Sequence, residues 1–452
     1  MPALKSLFML LVVPALLAAQ VTMQTVRNMP ANTWLAVPNS SFSALDPCPS
    51  RNCSYSGVSG LAGFFHWSGG AYDTKRDRLV LWGGGHNDYR GNEIYVFDIN
   101  TMIWQRLTDP TANPVNCGQT NGDGTPNSRH TWAGLAYIAH ADRFFGSGGA
   151  LNCDIGGCGA DKTWTFNFDT KQWTDRLPAG TKPPTGCGNS CAYDSVSGKV
   201  FWADNNYPGN GAGLYSYNYN ANQWTKHDSY SYYETGMAVD TKRGLLFIVG
   251  AGNVIVYAVG SNNFTRQTWS TTGATALVSA AKLGLEYDPV ADKIVGWNGG
   301  AVYGLNPDTR VWTQYGSTGA PTAEATGTYG RWRYVPSVNA YIVANSKDDN
   351  VHFFKLTAGG GTAITSAPPS RPSWVSVFPN PARSFTRISF GVTAGVCKAS
   401  IHDIRGRQVA AFPAIDGSSL VWRTDAIPAG VYLLTMEENA GKGETVRILI
   451  VK

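Results

Sequence analysis

The sequence predicts an all-β fold made from a repeated four-strand unit, and three observations predict it. Charged residues are only 15% of the 452-residue chain, while glycine reaches 51 residues and aromatics 12%. That balance disfavours coiled coil, helical bundle and acidic disorder. A pattern then recurs at a period of roughly 40–50 residues: a small residue, an aromatic or Val and often Asp; an apolar run ending in Gly or Asn; a second apolar-aromatic run; then Trp. Within the runs apolar residues alternate, as in Leu79, Leu81, Ile94 and Val96, which is the period of a strand.

The elements follow in order. Met1 to Ala19 carries one early Lys, an apolar stretch from Leu7 to Leu17 and small closing residues. This is the layout of a secretory signal peptide cleaved after Ala19, and the run is shorter than the ~20 residues of a membrane helix. No transmembrane segment is expected. Six units follow, anchored at Tyr72, Tyr137, Tyr193, Val239, Tyr287 and Tyr334. Five end in a closing tryptophan, at Trp104, Trp173, Trp224, Trp269 and Trp312, and the sixth has none. Trp34, before the first unit, supplies the missing strand and leaves no open edge. Four short strands per unit describe the blades of a β-propeller, six in number, or seven if an insertion hides one.

The repeat resembles kelch-type propellers, the group that includes galactose-oxidase-like proteins, over about Asn32 to Leu356. The first unit is similar to ulvan-lyase-type propellers. Residues 358–373, AGGGTAITSAPPSRPS, read as a linker between a propeller at 20–357 and a second domain at 374–452. That domain has short alternating strands and reads as a small β-sandwich. Phe378-Pro379-Asn380-Pro381, Asp403 to Gly406 and Gly430-Val431-Tyr432 make it similar to the C-terminal sorting domain of the type IX secretion system. The resemblance implies recognition by that machinery and a secreted or cell-surface protein.

Export permits disulfides. Six cysteines form three close pairs, Cys48 with Cys53, Cys153 with Cys158 and Cys187 with Cys191, and local disulfides are expected there; Cys117 and Cys397 remain over. The spacing gives no zinc set, and no metal or other cofactor is expected. The net charge of +5 is spread without a Lys/Arg run, which gives nucleic-acid binding little support.

Propeller pockets form from loops before the innermost strand and after the second strand of each unit. The anchors used as a ruler place His66, His86, His130, Tyr232, Tyr233 and Arg331 there as candidate catalytic residues, with Arg129, Lys282 and Tyr329 as binding residues. A neutral His or a Tyr can abstract a proton beside a carboxylate while Arg or Lys stabilises the charge that develops. The expectation is a lyase acting on uronic-acid polysaccharides. The alternative is a non-catalytic module that binds surface glycan or protein through its aromatic mouth. Asp88, Asn92 and Glu93 read as turn and inter-strand hydrogen-bonding groups, and His352 as a surface or loop residue.

Overall fold

The structure is a computed structural model that describes residues 20–47, 57–154, 157–184, 186–205, 211–359, 375–378, 380, 382–390, 397–403, 407–415, 419–438 and 443–451. The expected signal peptide, Cys48, Cys53, Pro379, Pro381 and most of the expected linker lie outside the described residues. The chain divides into two compact units, Met1–Ile364 and Thr365–Lys452.

Among the described residues the first unit holds six larger antiparallel sheets and a two-stranded one, Arg129–His130 with Ala150–Leu151. The first sheet is a meander of Gly70–Asp73, Arg78–Leu81, Tyr95–Asp98 and Ile103–Arg106. The next four begin with Leu135–Ile138, Ser190–Asp194, Gly236–Asp240 and Gly284–Asp288 and repeat that order. The third also takes a short parallel strand, Ala179–Gly180, at its outer edge. The sixth contains Trp332–Val335, Ala340–Val343 and His352–Lys355, and its fourth strand is Thr33–Ala36 from the chain start. Trp34 pairs with Phe354 and sits within ring contact of Trp297, Trp332 and Phe354.

Burial explains the order. Six apolar clusters lie between consecutive sheets, and one of them joins the sixth sheet to the first. In the strand Arg78–Leu81, Leu79 and Leu81 face the sixth sheet, while Val80 faces the second. Both faces are therefore buried, which is why the run Leu79-Val80-Leu81-Trp82 is apolar without interruption. The first strands of the six sheets follow one another around a ring, with Gly70–Asp73 lying beside both Leu135–Ile138 and Trp332–Val335. Residues before the first strands form the entry end of this ring. The hairpins that follow them form the exit end.

The second unit has a three-stranded sheet, Val375–Phe378, Phe385–Phe390 and Ser419–Arg423, and a four-stranded sheet, Gln408–Ile415, Cys397–Asp403, Gly430–Glu438 and Gly443–Ile450. Ile388 and Trp422 of the first share a core with Ile401, Tyr432, Leu434 and Ile448 of the second.

Two of the three expected local disulfides are corrected, while Cys48 with Cys53 lies outside the described residues. Cys153 bonds Cys117, and Cys158 bonds Cys187. Cys191 is free and buried on a first strand, opposite Trp202. Cys153 thus meets the stretch before Arg129–His130, and Cys158 the stretch before Ser190–Asp194. His352 is also corrected: it lies in a strand, 7% exposed, with Nδ1 on the carbonyl of Asn350 at 2.8 Å.

Candidate functional site

Five residues before each anchor the backbone turns left-handed: Trp67 (φ 44°), Trp132 (45°), Gly188 (74°), Glu234 (51°), Lys282 (69°) and Tyr329 (47°). Such a conformation costs a non-glycine residue about 1–2 kcal/mol. Here it recurs in all six sheets. Amides tie the ring together: Trp132 N–H donates to the Trp67 carbonyl (2.6 Å), Glu234 to Gly188 (2.8 Å), Lys282 to Glu234 (2.7 Å) and Tyr329 to Lys282 (3.3 Å). At Gly188 an added Cβ would run into the ring of Tyr233.

The side chains of this ring meet around one carboxylate. Trp132 Nε1–H donates to Glu234 Oε1 at 3.3 Å and the Tyr329 hydroxyl donates to the same oxygen at 3.1 Å. Lys282 Nζ stands 3.9 Å from Glu234 Oε2 and 5.7 Å from the Trp67 ring centre. Glu234 and Tyr329 are buried. Burial, with Glu234 beside it, pushes the Tyr329 hydroxyl well above its ordinary pKa.

Beside this ring lies a histidine group with Asp88 at its centre. His130 Nε2 is 3.1 Å from Asp88 Oδ2, His66 Nδ1 is 3.5 Å from Oδ1, and the Ser59 hydroxyl donates to Oδ1 at 2.8 Å. Burial alone would raise the Asp88 carboxyl, but the hydrogen bonds from His130, His66 and Ser59 outweigh it and hold the group well below the usual carboxylate range. His130 is 2% exposed. Burial lowers its pKa, against the opposing pull of Asp88. The His86 ring lies 5.6 Å from that of His130 and is exposed, and the Trp67 ring lies 5.1 Å from His130 on the other side.

The loop that carries His86 and Asp88 explains itself from Gly84 onward. Gly84, Gly85, His86 and Asn87 all have positive φ, and a Cβ on Gly85 would collide with the backbone of Arg129 and Ala150. Behind the loop, buried Glu93 accepts hydrogen bonds from the Tyr89 and Tyr95 hydroxyls, and Asn92 Nδ2 donates to Thr125 and to the Pro126 carbonyl. Asn92 and Glu93 thus hold the loop, as expected. Asp88 does not belong with them, because it is the hub of the histidines.

The remaining candidates fall elsewhere. The Arg331 guanidinium is buried and donates to the carbonyls of Phe65 (2.9 Å), Ser68 and Gly327. It clasps the loop that carries His66, and its Nε–H has no hydrogen-bond partner among the described residues. Arg129 is buried likewise, donating to the carbonyls of Asn127 (3.0 Å), Gly148 (3.0 Å) and Gln119 (3.2 Å). Burial lowers these two guanidinium groups to about 10 and about 9. Tyr232 is buried between the third and fourth sheets, its hydroxyl on Asp228 and Tyr257. Tyr233 is 52% exposed. The arrangement unites His66, His86, His130, Lys282 and Tyr329, and it adds Asp88 and Glu234. Glu234 shares the register of Trp67 and Lys282, a signal readable from the anchors.

Among the described residues no group of three or more His, Cys, Asp or Glu side chains is arranged to hold a metal ion. No helix of the described residues is long and apolar enough to cross a membrane. No curated protein matches the chain. Its final part does match a known family: residues 376–452 fit the secretion system C-terminal sorting domain, so this protein carries a type IX sorting tail and is exported, either secreted or held at the cell surface.

Proposed function

We propose that residues 20–357 form a six-bladed kelch-like β-propeller, joined by the 358–373 linker to a sorting domain at 374–452, and that the propeller is a lyase of uronic-acid-containing polysaccharide. The observation that carries this reading is the Asp88 carboxylate shared by His66 and His130 beside an aromatic ring of residues. Asp88 fixes the imidazole of His66, and Arg331 fixes its loop. His66 takes the proton next to the uronate carboxyl group. A carbon–carbon double bond forms, the glycosidic carbon–oxygen bond breaks, and exposed His86 returns a proton to the leaving oxygen. Lys282 stabilises the charge on the carboxylate, and half-buried Trp67 gives the sugar a stacking surface. The chemistry needs no cofactor.

The test is the ultraviolet absorbance of the unsaturated product when the purified full chain meets a panel of uronic-acid polysaccharides. We expect a rise that His66→Ala lowers by about 10²-fold or more. A flat trace with every polymer overturns the lyase reading. The second reading, a non-catalytic module for surface glycan or protein, is favoured by the closure of the entry end, where Trp132 and Tyr329 both donate to Glu234. Retention on a glycan without product would establish it.

A further inference from the structure

The exit end of the ring holds a cavity of about 280 Å³ that the proposed chemistry does not use. Its lining follows the repeat. The residue before each anchor faces it, and in four sheets this is alanine: Ala71, Ala136, Ala192 and Ala238. In the fifth and sixth sheets the same position holds Glu286 and Arg333, which pair at 2.6 Å. The walls carry five of the six anchors as tyrosine rings.

The hydrogen-bonding capacity of these groups selects a ligand. Tyr72 and Tyr137 donate to Asp77 and Asp142, and Tyr287 and Tyr334 to Asp292 and Asn339. Tyr193 is engaged with His140 Nδ1 at 3.0 Å. Arg333 is largely engaged: Nε and Nη2 donate to the Gly70 carbonyl, Nε also to Gly330 (2.9 Å) and Nη2 also to Leu135 (3.0 Å), while Nη1 gives one of its two hydrogens to Glu286. Glu286 accepts through Oε1 alone, although a carboxylate has room for about four donors. The floor therefore offers one carboxylate oxygen, Glu286 Oε2, that accepts from no donor among the described residues, inside walls of electron-rich rings that attract cations. An ammonium only donates, with three hydrogens.

We infer that this cavity binds a primary alkylammonium group, its nitrogen on Glu286 and its methylenes among the tyrosines. The site is separate from the entry end and does not depend on the lyase reading. The test is calorimetric titration of the full chain with n-butylammonium and with n-butanol, its neutral counterpart. We expect butylammonium to bind about tenfold tighter or more. Glu286→Gln should abolish that preference. Because this change also disturbs Arg333, Ala192→Leu is the second variant: it fills the floor and leaves the ion pair intact. The amide of Nα-acetyl-lysine and glucosamine, titrated next, distinguish a peptide side chain from an amino sugar by which binds more tightly. Equal affinity for the amine and the alcohol, no binding of the amine, or undiminished binding in a folded Ala192→Leu protein would each overturn the inference.

Discussion

His130 shows how burial and pairing compete at one residue. Burial lowers its pKa and Asp88 opposes the shift, with burial ahead. Below the ordinary histidine value of about 6.5 the unfolded chain binds a proton that folded His130 resists, so stability falls as pH drops through that window. His140 and His227 are lowered by burial as well and act in the same direction. Asp88 works in a lower window: its folded carboxyl is depressed, so its contribution is present above about pH 4 and is lost as pH falls further. Thermal midpoints measured from about pH 7 to 5 should decline, and His130→Asn should flatten part of that decline. Under the proposed lyase reading, Arg331→Leu should lower kcat more than the melting temperature suggests, because it frees the Phe65 and Ser68 carbonyls on either side of His66. A kcat unchanged in a folded Arg331→Leu protein would contradict that positioning role. Anchor spacing brought His66 and His130 to one end of the ring, and the Gly-rich loop after the second strand brought His86 there. Their partner Asp88 was not, since a carboxylate in a Gly-Asn turn has the same local signature whether it caps the turn or reaches across to another sheet. Arg331 misled for the opposite reason: spacing placed its backbone at the mouth, and only packing turned its guanidinium toward carbonyls.

Among elements, one four-residue word recurs. Asp73-Thr74-Lys75-Arg76 and Asp240-Thr241-Lys242-Arg243 occupy the first hairpins of the first and fourth sheets. Arg76 bonds Asp73 and reaches Asp142 of the next sheet, and Arg243 bonds Asp240 and reaches Asp292 in the same way. Asp240 is fully buried. Arg243→Ala should therefore cost about 1–3 kcal/mol by leaving that carboxylate underpaired. Lys242→Ala, at an exposed lysine on the same Asp292, should cost under about 1 kcal/mol; denaturant unfolding of the pair decides. The repeat of the word was visible in the sequence, but not that each copy fastens two sheets. The disulfides make the same point. Sequence proximity suggested partners within a loop, yet the Cys158–Cys187 bond joins two loops. Its removal by paired Ser substitution should lower stability by about 3 kcal/mol.

At the scale of the molecule, the sheet order follows from the count of closing tryptophans. Five units ended in Trp and the sixth did not, which pointed to Trp34, and Thr33–Ala36 is the strand that pairs with His352–Lys355. Deleting residues 20–36 should leave an unpaired edge and abolish a single cooperative unfolding transition. A chain ending at residue 364 should keep one. The roles of individual loops were less legible than the sheets, because apolar alternation records burial but not which way a polar side chain turns.

The pairing of the first strand with the last sheet has a consequence in time. A chain made from its beginning carries Thr33–Ala36 as an orphan until residue 355 has arrived, so the ring completes only when nearly all of it exists. The sorting tail begins still later, at residue 376. A fragment cut short anywhere in the ring lacks both the closing partner and the address. The machinery that reads the tail thus reads, by the order of synthesis alone, a certificate that the whole ring was made.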